Sequence, residues 1–139
     1  MIPKFNINGY LPRGTHKATL SEIKRRFGSD SAKRKELFKG LSSLFQLLCK
    51  HKRDIKSFLL NGSFVTNKEA PEDFDCILIL KTSFDFNSAE AKQLLSAKKI
   101  FNAHLFTYME KDVTLQRRLI DFFCHDDQGK SKGILEVLL

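Results

Sequence analysis

The chain has 139 residues, 42% of them hydrophobic and 13 of them Phe, which suffices for a single packed domain over residues 1–139 and excludes a disordered chain. Its net charge of +8 favours polyanionic partners such as nucleotides, RNA or DNA, or an acidic protein, although solubility alone would also account for it. Because no apolar run reaches the roughly 18 residues of a transmembrane helix and the N-terminus lacks a hydrophobic signal region, we expect a cytoplasmic protein with no membrane partner.

The first 28 residues predict an arm followed by a short helix. Proline and glycine punctuate residues 1–18, so we expect an extended N-terminal arm with turns. Thr19, followed three residues later by Glu22, has the pattern of a capping box, in which each residue bonds the other's backbone N–H. Gly28 is a typical helix end.

A second, longer helix is predicted from Asp30 or Ser31 to about Lys50, because leucines recur there at helical spacing. Its opposite face is basic, and basic residues continue beyond the helix. They are Lys33, Arg34, Lys35, Lys39, Lys50, Lys52, Arg53 and Lys56. Charge alone suggests nucleic-acid binding here, but no recognised nucleic-acid motif accompanies it, and a solvated helix face is the simpler alternative.

Apolar runs and helix caps alternate along the rest of the chain. The expected strands cover residues 58–62, 75–80, 103–109 and 134–139. The expected helices run from Asn87, which with Glu90 forms a cap, to about Phe101, and from Asp112 or Thr114 towards a polar loop at residues 125–133. Because strands and helices interleave, the predicted fold class is α/β (α+β), a mixed sheet of at least four strands with flanking helices.

Three cysteines, Cys49, Cys76 and Cys124, lie in apolar contexts and have no metal-type spacing. We expect each to be a small buried residue in a reducing compartment.

Two acidic residues open the strand at 75–80 and make it the most informative part of the sequence. Asp73 and Asp75 are two residues apart, so along a strand both carboxylates point to the same face and repel each other unless a cation lies between them. Such a pair of hard oxygen ligands is typical of a Mg²⁺ site. The preceding strand ends in Gly62 and Ser63, where a ligand can approach the backbone and a phosphate can meet a hydroxyl and an N–H. A hairpin whose loop end carries solvated aspartates is the alternative.

The arrangement resembles the nucleotidyltransferase superfamily, which has the polymerase-β-like fold. The superfamily signature is a hydrophobic residue, then Gly followed by Gly or Ser, a spacer of roughly ten residues, and Asp-x-Asp or Asp-x-Glu among hydrophobic residues. The matching segments here are Leu60-Asn61-Gly62-Ser63 and, after nine intervening residues, Asp73-Phe74-Asp75-Cys76.

This resemblance implies a minimal nucleotidyltransferase fold that transfers an NMP from an NTP to an acceptor with the help of Mg²⁺. Asp73 and Asp75 would be the catalytic, metal-holding carboxylates, and Gly62 and Ser63 would bind the nucleotide phosphates. The superfamily also uses a third carboxylate on a later strand, and the aligned residue here is His104, which is a poor Mg²⁺ ligand. Asp121 has a similar hydrophobic context, but its segment has helical spacing and we expect it on a helix surface.

The chain ends narrow the resemblance to a family of small, largely uncharacterised bacterial nucleotidyltransferase-like proteins. The matching segments are Asn8–His16, Gly62–Thr66, Pro71–Asp75 and Gly129–Ile134. An alternative function follows from the same resemblance: a catalytically degenerate member that binds a protein encoded by an adjacent gene, as part of a toxin–antitoxin or phage-defence pair. A hydrolase using Ser63 with His104 or His125 is disfavoured, because no nucleophile-elbow motif surrounds Ser63.

Overall fold

A five-stranded mixed sheet organises the chain in the computed structural model, which describes residues 1–139. The strands are β1 (Thr15–Ala18), β2 (Ile55–Asn61), β3 (Phe74–Leu80), β4 (Ala103–Met109) and β5 (Ile134–Val137). Their order across the sheet is β1-β5-β2-β3-β4. The pairs β1–β5 and β3–β4 are parallel, whereas β2 is antiparallel to both β3 and β5. The predicted fold class is therefore confirmed, and the two strands that carry the signature residues, β2 and β3, are neighbours in the sheet.

Five helices flank the sheet, and local caps explain where most of them begin. They are α1 (Leu20–Phe27), α2 (Ala32–Cys49), α3 (Ala89–Leu95), α4 (Ala97–Phe101) and α5 (Val113–Phe123). The capping box of α1 is present as predicted, with Thr19 and Glu22 bonding each other's backbone N–H groups. The Ser31 hydroxyl caps α2. None of the helices is long and apolar enough to cross a membrane.

The sheet buries its two faces unequally, because the helices are divided unequally between them. One face carries Phe58, Leu60 and Leu78 into a large core with apolar residues of α1 and α2. The opposite face carries a smaller cluster, Leu59, Ile77, Ile79 and Ile134, covered by apolar residues of α5. Alternation along each strand therefore assigns residues 59 and 61, and residues 75 and 77, to the face beneath α5.

Several predicted boundaries were wrong. Residues 15–18 belong to the sheet as β1 rather than to an extended arm, because they pair with β5 near the other end of the chain. The cap of α3 is Ser88, whose hydroxyl accepts the N–H of Ala91, and not Asn87. The predicted single helix that follows is two helices, because the backbone leaves the helical conformation at Ser96.

The cysteine prediction holds for one residue of three. Cys76 is fully buried within β3, whereas Cys49 and Cys124 are only partly buried. Cys49 is the last residue of α2, and Cys124 directly follows α5.

Candidate functional site

Gly62 and Asp75 lie in direct apposition at the end of β2. The backbone of Gly62 has φ 84° and ψ −169°, a conformation essentially restricted to glycine. A Cβ atom placed on Gly62 would overlap the carboxylate of Asp75. Only glycine therefore satisfies both the backbone geometry and the space at this position, which follows directly after β2.

Three polar residues form a row across neighbouring strands at this edge of the sheet. Asn61 of β2 pairs with Asp75 of β3, and Asp75 pairs with His104 of β4. Directly paired residues share a face, so all three lie on the face beneath α5. The Nδ1 atom of His104 is 3.4 Å from Oδ1 of Asp75. The structure thus brings His104 beside Asp75, at the position where the resembled superfamily has its third carboxylate.

The two signature carboxylates have different neighbours. Asp73 lies just before β3, and its Oδ2 atom is 2.6 Å from Nζ of Lys98, which belongs to α4. Asp75 faces His104 instead and is the less exposed of the pair. Burial raises the pKa of Asp75, the charge of Asp73 raises it further, and His104 and Lys132 oppose the rise. The expected repulsion between the two carboxylates therefore contributes to the raised pKa of Asp75.

A cleft of about 620 Å³ opens beside Asp75 and Ser63. Its walls come from the N-terminal arm, the loop after Ser63 and the segment that follows α5. The polar residues lining it are Asn8, Tyr10, Ser63, Thr66, Asn67, Lys68, Asp75, His125, Asp126, Asp127 and Lys132. Phosphate groups and a carboxylate-bound cation would both find complementary charge here, because lysines and aspartates line the same space.

Sequence reasoning missed Lys68 and Lys132 as site residues. Lys132 belongs to the segment Gly129–Ile134. The family resemblance includes this segment but assigns no chemical role to its residues. Both lysines line the same cleft as Asp75 because the fold brings their segments together. No local pattern distinguishes them from the other lysines.

Asn61 is a third missed residue. It is 1% exposed, and neither its Oδ1 nor its Nδ2 atom has a hydrogen-bond partner within the protein. An unsatisfied buried amide costs about 1–3 kcal/mol. Asn61 pairs with Asp75, so this unsatisfied amide is part of the candidate site.

Arg34 fixes the loop that follows Ser63. Its guanidinium is 4% exposed and donates hydrogen bonds to the carbonyls of Phe64, Thr66 and Lys68, at 2.7, 2.8 and 2.6 Å. A further bond of 3.2 Å reaches the carbonyl of Phe27 at the end of α1. Burial lowers the pKa of Arg34. Sequence analysis placed this residue in the basic nucleic-acid-binding stretch, but it lies inside the protein and is unavailable to a polyanion.

The chemistry of these residues fits a divalent cation held together with a nucleotide. Mg²⁺ commonly uses one or two carboxylates and completes its shell with substrate phosphates and water. Asp73 and Asp75 would be the two carboxylates, although Asp73 is also paired with Lys98. No group of three or more His, Cys, Asp or Glu residues comes together in a metal-binding arrangement. Phosphate oxygens and water would therefore supply the remaining ligands.

A nucleophile–base pair of the hydrolase type is not formed. The Ser63 side chain makes no hydrogen bond to either His104 or His125, and His125 instead contacts the carbonyl of Asp121. Asp121 is exposed on α5, as its helical spacing predicted.

Comparison with known proteins places the chain in a family without assigning it an activity. A family model described as "Family of unknown function (DUF6932)" matches residues 3–138. The chain belongs to this family. No curated protein and no solved structure matches the DUF6932 chain.

Proposed function

We propose that this DUF6932 protein binds a nucleoside triphosphate with Mg²⁺ in the cleft beside Asp75 and transfers its NMP to an acceptor hydroxyl. The observation that carries the proposal is the Asp75 carboxylate, which lines the cleft together with Ser63 and packs against the backbone of Gly62. The buried Gly62 lets the Asp75 carboxylate pack against the main chain just before Ser63, and burial together with the adjacent charge of Asp73 raises the pKa of that carboxylate.

Each residue at this edge has a distinct role in the proposal. Asp73 and Asp75 would hold Mg²⁺, which when bound would neutralise triphosphate charge and stabilise the departing pyrophosphate. The Ser63 hydroxyl would donate a hydrogen bond to a phosphate oxygen. Lys68 and Lys132, which both line the cleft, would balance the remaining negative charge.

The transfer itself needs little covalent chemistry from the protein. The acceptor oxygen forms a bond to the α-phosphorus, the bond between that phosphorus and the bridging oxygen breaks, pyrophosphate leaves, and the proton of the acceptor hydroxyl is released to solvent. Catalysis of this type rests on positioning and charge stabilisation. Arg34 holds the loop that follows Ser63 through three hydrogen bonds, and this preorganisation supports a catalysis based on positioning.

Equilibrium binding of a radiolabelled NTP, with and without Mg²⁺, tests the proposal. We expect binding that requires Mg²⁺ and is lost in Asp75→Asn. Asp121→Asn is the matched control, because Asp121 is an exposed carboxylate on α5 that does not line the cleft. Nucleotide binding that is equal with and without Mg²⁺, or equal in Asp75→Asn and wild type, would refute it.

A second function, a degenerate fold that binds a protein partner, is favoured by His104. A histidine occupies the position beside Asp75 where the resembled superfamily has a carboxylate. β4 is also an unpaired edge strand, and such edges are available for pairing with another chain. Wild-type protein that binds no Mg²⁺–nucleotide, together with a His104→Asp variant that does, would select this second function.

A further inference from the structure

Tyr10 presents a hydroxyl inside the same cleft and hydrogen-bonds a carboxylate. Its Oη atom donates to Oδ2 of Asp126 at 2.9 Å, and both residues line the cleft together with Asp75 and Ser63. Tyr10 is only partly buried, so its ring remains accessible from the cleft. The hydroxyl is therefore close to the proposed nucleotide and already has a proton acceptor.

The Asp126 carboxylate is held in place by its own loop. Its Oδ1 atom accepts the backbone N–H groups of Gln128 and Lys130 at 2.9 and 2.8 Å. The backbone N–H of Asp126 in turn donates to the carbonyl of Lys130. These bonds occupy one carboxylate oxygen and leave Oδ2 for the tyrosine, so the orientation of the Tyr10 hydroxyl is fixed before any substrate arrives.

The arm that carries Tyr10 is equally constrained. Asn6 closes a turn around it, accepting the N–H of Tyr10 through its side chain and donating its own N–H to the Tyr10 carbonyl. The carbonyl of Gly9 accepts the N–H of Asn67, and that of Leu11 accepts the N–H of Gly133. Hydrogen bonds on both sides of Tyr10 thus join the arm to both neighbouring walls of the cleft.

Lys132 lies near both the Tyr10 ring and the Asp75 carboxylate. Its Nζ atom is 6.0 Å from the centroid of the Tyr10 ring, within the range of a cation–π contact. The same ammonium is close enough to Asp75 to oppose the rise in pKa that burial causes there. A phosphate group bound by Lys132 would accordingly lie between Asp75 and Tyr10.

Other hydroxyls of the cleft are less suited to act as an acceptor. Thr66 donates its hydroxyl to the carbonyl of Ser63 and is buried. Ser63 has the phosphate-binding role in the proposed function and has no carboxylate partner. Tyr10 is the cleft hydroxyl with a carboxylate to receive its proton.

We propose that Tyr10 is itself an acceptor, so that the protein attaches a nucleoside monophosphate to its own Tyr10 side chain. Tyr10 Oη forms a bond to the α-phosphorus of the NTP, the bond from that phosphorus to the bridging oxygen breaks, pyrophosphate leaves, and the phenolic proton passes to Asp126. An aspartate that receives the proton of an attacking hydroxyl has the same part in protein kinases. The inference rests on the proposed function and adds the identity of an acceptor.

Mass spectrometry of the full chain tests this directly. Wild-type protein is incubated with Mg²⁺ and each of the four NTPs, and its intact mass and proteolytic peptides are measured. We expect a gain of one nucleoside monophosphate, located on Tyr10. Tyr10→Phe should lower incorporation at least about tenfold, and Asp126→Asn should slow it by a similar factor or more.

Tyr108→Phe is the matched control, because Tyr108 is the second of the two tyrosines in the chain and does not line this cleft. It should retain full incorporation, and circular dichroism should show the wild-type fold in all three variants. Modification of another residue, or undiminished incorporation in Tyr10→Phe, would overturn the inference. Mg²⁺-dependent nucleotide binding without any self-modification would overturn it while leaving the proposed function standing, whereas absence of nucleotide binding would remove both.

Discussion

The backbone of Gly62 and the carboxylate of Asp75 face each other across a gap with no room for a Cβ atom. This contact joins the end of β2 to the beginning of β3 and brings a carboxylate against the buried main chain of Gly62. A side chain at position 62 must displace the Asp75 carboxylate. The two residues therefore depend on each other sterically, and both also belong to the signature described above.

Gly62→Ala should destabilise the protein and abolish Mg²⁺-dependent nucleotide binding. The backbone conformation alone costs a non-glycine residue about 1–3 kcal/mol, and the collision with Asp75 adds to this. Urea denaturation measures the change. Gly129→Ala is the control, because Gly129 has φ 77° but open space where a Cβ would lie. Equal destabilisation by the two substitutions would contradict the steric coupling.

Asp75→Asn should stabilise the metal-free protein at neutral pH. Burial and the charge of Asp73 raise the pKa of Asp75 in the folded state, so folding opposes ionisation. Wild-type stability should therefore fall as pH rises from the unfolded-state pKa, about 3.9, through the raised folded-state pKa. The advantage of Asp75→Asn should vanish below that window.

Thermal denaturation at a series of pH values measures this difference, with the exposed Asp121→Asn as control. A lower melting temperature for Asp75→Asn than for wild type at pH 7 would mean that the contact with His104 outweighs burial and repulsion.

Arg34→Met should destabilise the protein by about 3–5 kcal/mol, because it leaves several buried carbonyls without a donor. Lys35→Met removes the same charge from an exposed neighbouring position of α2 and should change stability by less than about 0.5 kcal/mol. Urea denaturation of both variants checks the comparison. Similar losses would show that Arg34 contributes through charge rather than through its hydrogen bonds.

His104→Asp should tighten Mg²⁺–nucleotide binding by about tenfold or more, since it adds a hard oxygen ligand beside Asp75. Thr107→Asp adds the same charge on the opposite face of β4 and should have little effect. Isothermal titration calorimetry measures both affinities. Weaker binding in His104→Asp would instead indicate that the histidine already contacts the phosphates.

Local signals account for what the sequence predicted well. The caps of α1 and α2 depend on side chains within three residues of the backbone groups they bond. The signature strands followed from continuous apolar runs, and the alignment of His104 with Asp75 followed from the resemblance. In each case the residues on which the prediction depends are close together in the sequence or belong to a recurrent pattern.

Tertiary contacts account for what was missed. β1 is a four-residue strand whose partner, β5, is more than a hundred residues away, so nothing near it indicates pairing. Arg34 lies between two lysines in the sequence, and only the inward-turned carbonyls of the loop after Ser63 make its burial favourable. The contact between Tyr10 and Asp126 similarly joins opposite ends of the chain.

Paramagnetic relaxation in NMR tests the central claim most directly. Mn²⁺ prefers the same oxygen ligands as Mg²⁺ and can be added with an NTP analogue whose α–β bridging oxygen is replaced by a methylene group. We predict that the amide signals of Gly62, Ser63 and Asp75 broaden first in the wild-type protein and stay sharp in Asp75→Asn. Broadening confined to Asp126 and Asp127, or none at all, would contradict a nucleotide-dependent metal site at Gly62 and Asp75.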